Sequence, residues 1–160
     1  MGEPHVVTLR ATRAGDLDAL FGFEQDPTAV RMAAFTPPDP SDRATFDAHW
    51  RRLLADPTID TRTVRADGVI VGSVGRWFED GRAELTCWID PAHWHEGIAT
   101  RAMRLFLDEV HERPVRARVA ADNVPSIALL ERLGFRHSAT ETGYANARDA
   151  EIEERVYTLD

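Results

Sequence analysis

Apolar and polar positions change their period partway along the chain. His5 to Thr12 alternates and is rich in β-branched residues, which predicts an opening strand. Asp16 to Gln25, with Leu17, Leu20 and Phe21 on one face, and Thr28 to Phe35 have helical spacing. Thr36-Pro37-Pro38-Asp39-Pro40 breaks the chain, and Ser41 is placed to cap a third helix reaching Ala55. Three strand-like runs follow: Asp60 to Arg65, Val69 to Glu79 and Arg82 to Asp90. Their connections, Ala-Asp-Gly and Glu-Asp-Gly, are hairpin sequences, so the three predict an antiparallel meander.

Helical spacing returns from Gly97 to His111, through Ile98, Met103, Leu105, Phe106 and Val110. Val115 to Ala121 reads as a strand, Val124 to Leu133 as a short helix ended by Gly134, and Phe135 to Thr142 and Ile152 to Leu159 as closing strands. A strand, a helix and a strand over residues 82 to 121 predict two parallel strands with a right-handed crossover. The fold class is therefore a mixed α/β (α+β) sheet, antiparallel in its first half and helix-crossed in its second, in one domain over residues 1–160.

Charge narrows the chemistry. The 19 basic residues are all arginine, against 27 acidic ones, for a net charge of −8. With no lysine, Schiff-base and pyridoxal chemistry and a Walker A loop are excluded. The acidic balance argues against nucleic acid and favours cationic small molecules or basic peptides. No window has the apolar length of a membrane helix, and Met1 to Arg10 lacks the pattern of a signal peptide. The single Cys87 closes no intrachain disulfide, so a cytoplasmic protein is expected.

The segment Ile89 to Arg101 carries the chemistry. A strand ends, Pro91 breaks it and Gly97 opens a helix, whose first free amides and dipole form an anion site. Gly97, with no Cβ, lets a phosphate oxygen come close. An ordinary strand-to-helix turn would also contain these residues. The spacing is not Gly-x-Gly-x-x-Gly, and His95-Glu96 is no zinc-protease helix because the second histidine would fall on Ala99. His93 and His95 could share a metal ion, but no third ligand stands at motif spacing, so no metal is expected.

Trp94-His95-Glu96-Gly97-Ile98-Ala99-Thr100 resembles the Q/R-x-x-G-x-G/A acetyl-CoA motif of the GNAT superfamily of N-acetyltransferases. Its Trp94 is similar to the branch that contains ribosomal-protein N-terminal (alanine/serine) acetyltransferases. A second signature follows at family spacing, Ala121 to Phe135, with Asn123, Ser126 and the closing Leu133-Gly134-Phe135. The resemblance spans nearly the whole chain. It implies a GNAT-like fold with splayed central strands, and acetyl-CoA as co-substrate with its pantetheine between them. It implies further that the amides of His95, Glu96, Gly97, Ile98, Ala99 and Thr100 hold the pyrophosphate, that Asn123 bonds the cofactor, and that Ser126 sits near its sulfur. On their own, Asn123 would be a helix N-cap and Ser126 a first-turn surface residue. The chain departs from the family pattern at His95 and Glu96, where glycine and a basic or amide residue are usual. It departs also at Leu130, where many relatives place a tyrosine general acid. A carboxylate at Glu96 repels a pyrophosphate unless it points to water, and Arg101 or Arg104 is the nearest counter-charge in sequence.

Acetyl transfer to an amine needs a neutral nitrogen, a stabilised oxyanion and a departing thiolate. Glu84, Thr86 and Trp88 share a strand face, and Glu84 falls where the N-terminal acetyltransferase branch keeps its base, so Glu84 is the expected catalytic carboxylate. Ser126 or water is the expected proton donor to sulfur, and an amide at Trp88 or Ile89 the oxyanion contact. Cys87, on the opposite face, is read as core. Phe21, Phe35, Trp50 and Trp77 are the candidates for acceptor specificity. The expected function is an N-acetyltransferase acting by direct attack on a primary amine, a protein N-terminus or a small-molecule amine. The competing readings are an acyl-CoA-binding sensor or partner module of the same fold, and a different acyl donor. A homodimer is implied only by analogy.

Overall fold

The computed structural model describes residues 5–160, so the leader reading of Met1 to Arg10 falls partly outside the described residues. The first half is the expected meander: β1 (Val7–Ala11), β2 (Asp60–Ala66), β3 (Val69–Glu79) and β4 (Arg82–Ile89) pair antiparallel in turn. Both hairpin turns place an aspartate and a glycine at positive φ (52° and 83° at Asp67-Gly68, 51° and 75° at Asp80-Gly81), which suits the twist of the flanking strands. α1 (Leu17–Phe23), α2 (Pro27–Ala33) and α3 (Arg43–Ala55) lie between β1 and β2. α4 (Ile98–Glu109) then crosses to β5 (Val115–Ala120), which is parallel to β4, and α5 (Val124–Arg132) leads to the hairpin of β6 (Arg136–Ala145) and β7 (Ala150–Leu159). The seven strands run in the order β1-β2-β3-β4-β5-β7-β6.

One face of this sheet is apolar. α4 lays Ile98, Ala102, Met103 and Phe106 against Val64, Val74, Leu85, Val115 and Tyr157, and all of these are buried. Trp50, one of the four aromatic candidates for acceptor specificity, is also buried; Phe21, Phe35 and Trp77 are half-buried.

The other face is anchored by a carboxylate. Asp16 is 3% exposed and accepts from both terminal nitrogens of Arg10 (2.7 and 2.8 Å), from the Thr63 hydroxyl (2.7 Å) and from the Arg13 amide (2.9 Å). It ties β1 and β2 to the residue that opens α1, and so fixes where α1 starts over the sheet.

Two expectations need correction. The N-cap of α3 is Asp42, which accepts from the Thr45 amide, while the Ser41 hydroxyl turns back to Asp39. β6 continues to Ala145 rather than ending at Thr142; nearly all its residues are exposed, so there is no apolar alternation to mark its length.

Replacing Asp16 with alanine strands the Arg10 guanidinium and should cost about 3 kcal/mol, the low end for a broken buried pair. Arg10 foremost, with Thr63 and the Arg13 amide and against burial, holds the Asp16 carboxyl well below its usual range. Its stabilisation is thus complete above the ordinary aspartate value near ~4 and is lost as pH falls through the depressed folded value, so urea melts of wild type and variant should converge in acid. At Gly72 a Cβ would lie 2.2 Å from the Trp88 carbonyl oxygen and 3.0 Å from the Ile89 Cα. Backbone cannot yield there cheaply, so Gly72→Ala should lose about 1–3 kcal/mol in the same assay.

Candidate active site

β4 and β5 pair over only three rungs, Ala83 with Val115, Glu84 with Arg116 and Leu85 with Ala117. β4 runs on to Ile89 and β5 to Ala120 without pairing to each other, which opens a wedge between the two strand ends. The Asp90 amide donates to Val71 on β3 (2.7 Å). Amides alternate in direction along a strand, so the Ile89 amide points the other way, into the wedge. Of the two amides considered for an oxyanion, that of Ile89 faces the wedge and that of Trp88 faces β3. Trp88 is half-buried, and its indole nitrogen donates to the Phe23 carbonyl at the end of α1 (3.2 Å).

The turn from β4 to α4 lies at the mouth of the wedge. Asp90 caps a short 3-10 turn, Pro91–His93, and the Trp94 indole nitrogen donates to the Ile89 carbonyl (2.9 Å), fastening the loop to the strand. His95 and Gly97 both have left-handed backbone, φ 66° and 77°. Among the described residues no hydrogen bond uses the amides of His95, Glu96, Gly97, Ile98, Ala99 or Thr100; the first helical amide to find a partner is Arg101, on the Gly97 carbonyl (3.2 Å). Six consecutive free donors stand at the start of a helix of 12 residues. A Cβ built on Gly97 meets nothing within 4 Å, so the space before the loop is open.

Glu96 does not simply point to water. Its Oε1 lies 2.8 Å from His5 Nε2 and 3.3 Å from His93 Nδ1, and His5 Nδ1 lies 2.6 Å from Asp67. With a carboxylate at each ring nitrogen, the imidazolium form of His5, which donates from both, is favoured. Asp67 first and Glu96 second raise its pKa above the ordinary histidine value. Of the two arginines expected to compensate, Arg101 donates to the His5 carbonyl (2.7 Å) and Arg104 is exposed. His95 is exposed and His93 engages Glu96; among the described residues no group of three or more metal-ligating side chains is gathered.

Across the wedge, Asn123 caps α5 through the Ser126 amide (3.4 Å), and its Nδ2 donates to the Met32 carbonyl of α2 (3.3 Å). Ser126 is half-buried, and no hydrogen bond among the described residues uses its hydroxyl. The β6–β7 turn clamps α2: Arg148 donates to the Arg31 carbonyl (2.7 Å) and pairs twice with Asp122 (2.7 and 3.0 Å). Pro27, Arg31, Met32, Asp122, Asn123 and Arg148 line a cavity of about 400 Å³ there.

Two carboxylates on this side of the sheet differ sharply. Glu84 is 1% exposed, its Oε1 accepts from Arg116 (2.7 Å) and Arg118 (3.3 Å), and its Oε2 is buried with no partner. Glu24, which follows α1, is half-buried and makes no ion pair or side-chain hydrogen bond among the described residues, and burial pushes its pKa up to about 7. Burial also pushes the Cys87 thiol up to about 12, so Cys87, partly buried against the core, is no thiolate nucleophile. Leu130 is buried. Local spacing offered no sign of Glu24, nor of the His5 contact, whose partner Glu96 lies 91 residues away.

Comparison with known proteins agrees with this geometry. An uncharacterised N-acetyltransferase, p20, of Bacillus licheniformis is 24% identical over 96% of this chain and 92% of its own length. Among solved structures, spermidine N-acetyltransferase from Vibrio cholerae, in complex with CoA and spermine, superposes with a TM-score of 0.80 at 18% identity, covering 96% of this chain and 94% of that one. A ribosomal-protein alpha-N-acetyltransferase (RimL) in complex with coenzyme A gives 0.81 at 14%, covering 96% and 93%. Residues 7–136 match the family described as Acetyltransferase (GNAT) domain, and the chain belongs to that family of acetyl-CoA-dependent acetyltransferases.

Proposed function

We propose that this protein transfers an acetyl group from acetyl-CoA to a primary amine, on a protein N-terminus or a small molecule, by direct attack in a ternary complex. The observation that carries the reading is the row of six free amides, His95 to Thr100, at the mouth of the β4–β5 wedge. Donors aimed at open space suit a pyrophosphate, and a wedge between two strands leaves backbone edges to hold the amide-rich pantetheine. Acetyl-CoA supplies an activated thioester. In this reading the Ile89 amide stabilises the oxyanion, and the unengaged Ser126 hydroxyl returns a proton to sulfur. A thiol leaves with a pKa near ~8.5, so a strong acid in place of Leu130 is unnecessary. Asn123, already bonded to Met32 and Ser126, joins α2 to α5, and in this reading its side chain also bonds the cofactor. Glu84, sealed and bound by two guanidiniums, serves in this reading as a brace between β4 and β5 rather than as the base.

The sensor alternative drew on the charge of Glu96 and on the tyrosine missing at Leu130, with Glu84 against it; the His5 ring, shared by Glu96 and Asp67, weakens the first motive.

Isothermal titration should show micromolar binding of acetyl-CoA to wild type. Gly97→Trp, folded by circular dichroism, should bind at least about tenfold more weakly, a loss of ~1.4 kcal/mol. No binding to folded wild type sinks the reading. The same titration run from pH 6 to pH 9 tests the loop. His5 is charged below its raised pKa and neutral above it, so Glu96 becomes an uncompensated negative charge as pH rises, and affinity should weaken about threefold. In His5→Gln that histidine-dependent part of the profile should vanish; an unchanged profile would show that Glu96 is not felt by the phosphates.

A further inference from the structure

We propose that Glu24 receives the acceptor amine, accepting a hydrogen bond from the ammonium and then its proton; this rests on the transferase reading above. The argument begins with the position of Glu24 on α1. Leu17, Leu20 and Phe21 form the apolar stripe of that helix, Leu20 4% exposed and Phe21 against Phe46 of α3 (ring centroids 5.1 Å apart), and Glu24 continues the stripe one turn beyond Leu20. That place calls for an apolar residue. A carboxylate there, with no cation and no donor among the described residues, is half-buried for no structural gain.

Its surroundings locate it over the chemistry. The Phe23 carbonyl, one residue earlier, accepts from the indole of Trp88, so the end of α1 lies over the end of β4 where the strand has parted from β5. On that sheet face the register sets Ser73 opposite Trp88 and Gly75 opposite Thr86, all uncharged. The other charged groups of the face pair among themselves: Arg10 with Asp16 in the same cross-strand row as Trp88, and further back Glu84 with Arg116 and Arg118, of which Arg118 also meets Glu141 and Glu154. On the flanking chain, Asp18 pairs with Arg43 and Asp26 caps α2. None of these charges contributes to the raised pKa of Glu24; burial alone does. Beside the wedge, then, Glu24 is an unengaged carboxylate, and a primary ammonium is the ligand that would complete it.

The step balances. The ammonium gives one proton to Glu24, the neutral nitrogen attacks the thioester carbonyl carbon, a C–N bond forms and the C–S bond breaks with its electron pair on sulfur. A second nitrogen proton reaches that sulfur directly or through the Ser126 hydroxyl. The products are the acetamide, CoA thiol and a protonated Glu24, which releases its proton to water.

The test uses the full chain, with thiol release measured on unblocked Ala- and Ser-peptides, spermidine and free amino acids. Glu24→Gln should bind acetyl-CoA within twofold of wild type, yet lose about a hundredfold in kcat/KM. The ascending limb of the wild-type pH profile, expected near the Glu24 value of about 7, should move up to the acceptor's own pKa, and Glu24→Asp should restore part of the rate. Glu84→Gln should keep the limb. If Glu24→Gln keeps kcat/KM within threefold with the limb in place, or if only Glu84→Gln loses the limb, Glu24 is not the base while the transferase reading stands. Wild type that acetylates none of these amines overturns both.

Discussion

The three-rung pairing of β4 with β5 is the constraint on which the remaining geometry depends. Were it to run to the strand ends, the Ile89 amide would be spent on β5 and no wedge would exist. The buried pair at the middle rung helps set where it stops: Glu84 reaches Arg116 directly across the seam and Arg118 two residues on. Arg118 also faces Glu141 on β6 and Glu154 on β7, so one guanidinium draws the far end of β5 toward its other neighbours. A buried ion pair often adds little net stability compared with apolar residues of the same shape. What this one supplies is placement, because a carboxylate with two guanidinium partners has few positions in which all three are satisfied.

Placement on the other side comes from Asp16. By joining Arg10 and Thr63 to the start of α1, it sets the helix over β3 and β4, and the Trp88 indole fastens the helix end. Strand, helix start and helix end are thus each fixed by one polar contact. The residues between them are left to carry chemistry, which is why a carboxylate can persist in the apolar stripe of α1.

The meander, the crossover helix and the anion-binding turn were legible in the sequence because each rests on a local signal. Asp-Gly turns demand positive φ, α4 has a clean apolar stripe from Ile98 to Phe106, and Gly97 stands at the left-handed position that opens it. What escaped notice was joined over long separations or had no pattern. β6 is an exposed edge strand without alternation. The α3 cap moved by one residue because Asp42 and Ser41 are both competent caps and only backbone geometry chooses between them. Trp94 was legible as a motif letter, but its bond to the Ile89 carbonyl was not. Glu84 was placed on the correct face by alternation, yet alternation cannot say that Arg116 and Arg118 wait on the next strand. Charge compensation at Glu96 depends on His5 and Asp67, which only the closing of β1 onto β2 brings near.

The raised pKa of Glu24 bears on the proton chemistry it suits. A base works best when its pKa lies near that of the solution and not far below that of the acid it serves. An ordinary carboxylate near ~4 faces an α-ammonium near ~8 across about four units, or roughly 5–6 kcal/mol of uphill transfer. Raised to about 7 by burial, Glu24 faces the same ammonium across about one unit, while an aliphatic ammonium near ~10 still stands about three units away. Desolvation therefore serves two ends at the tip of α1. It gives a carboxylate able to hold a proton at neutral pH, and it narrows the gap to every ammonium alike, with the α-amines of peptides and amino acids nearer than polyamine nitrogens by their own lower pKa.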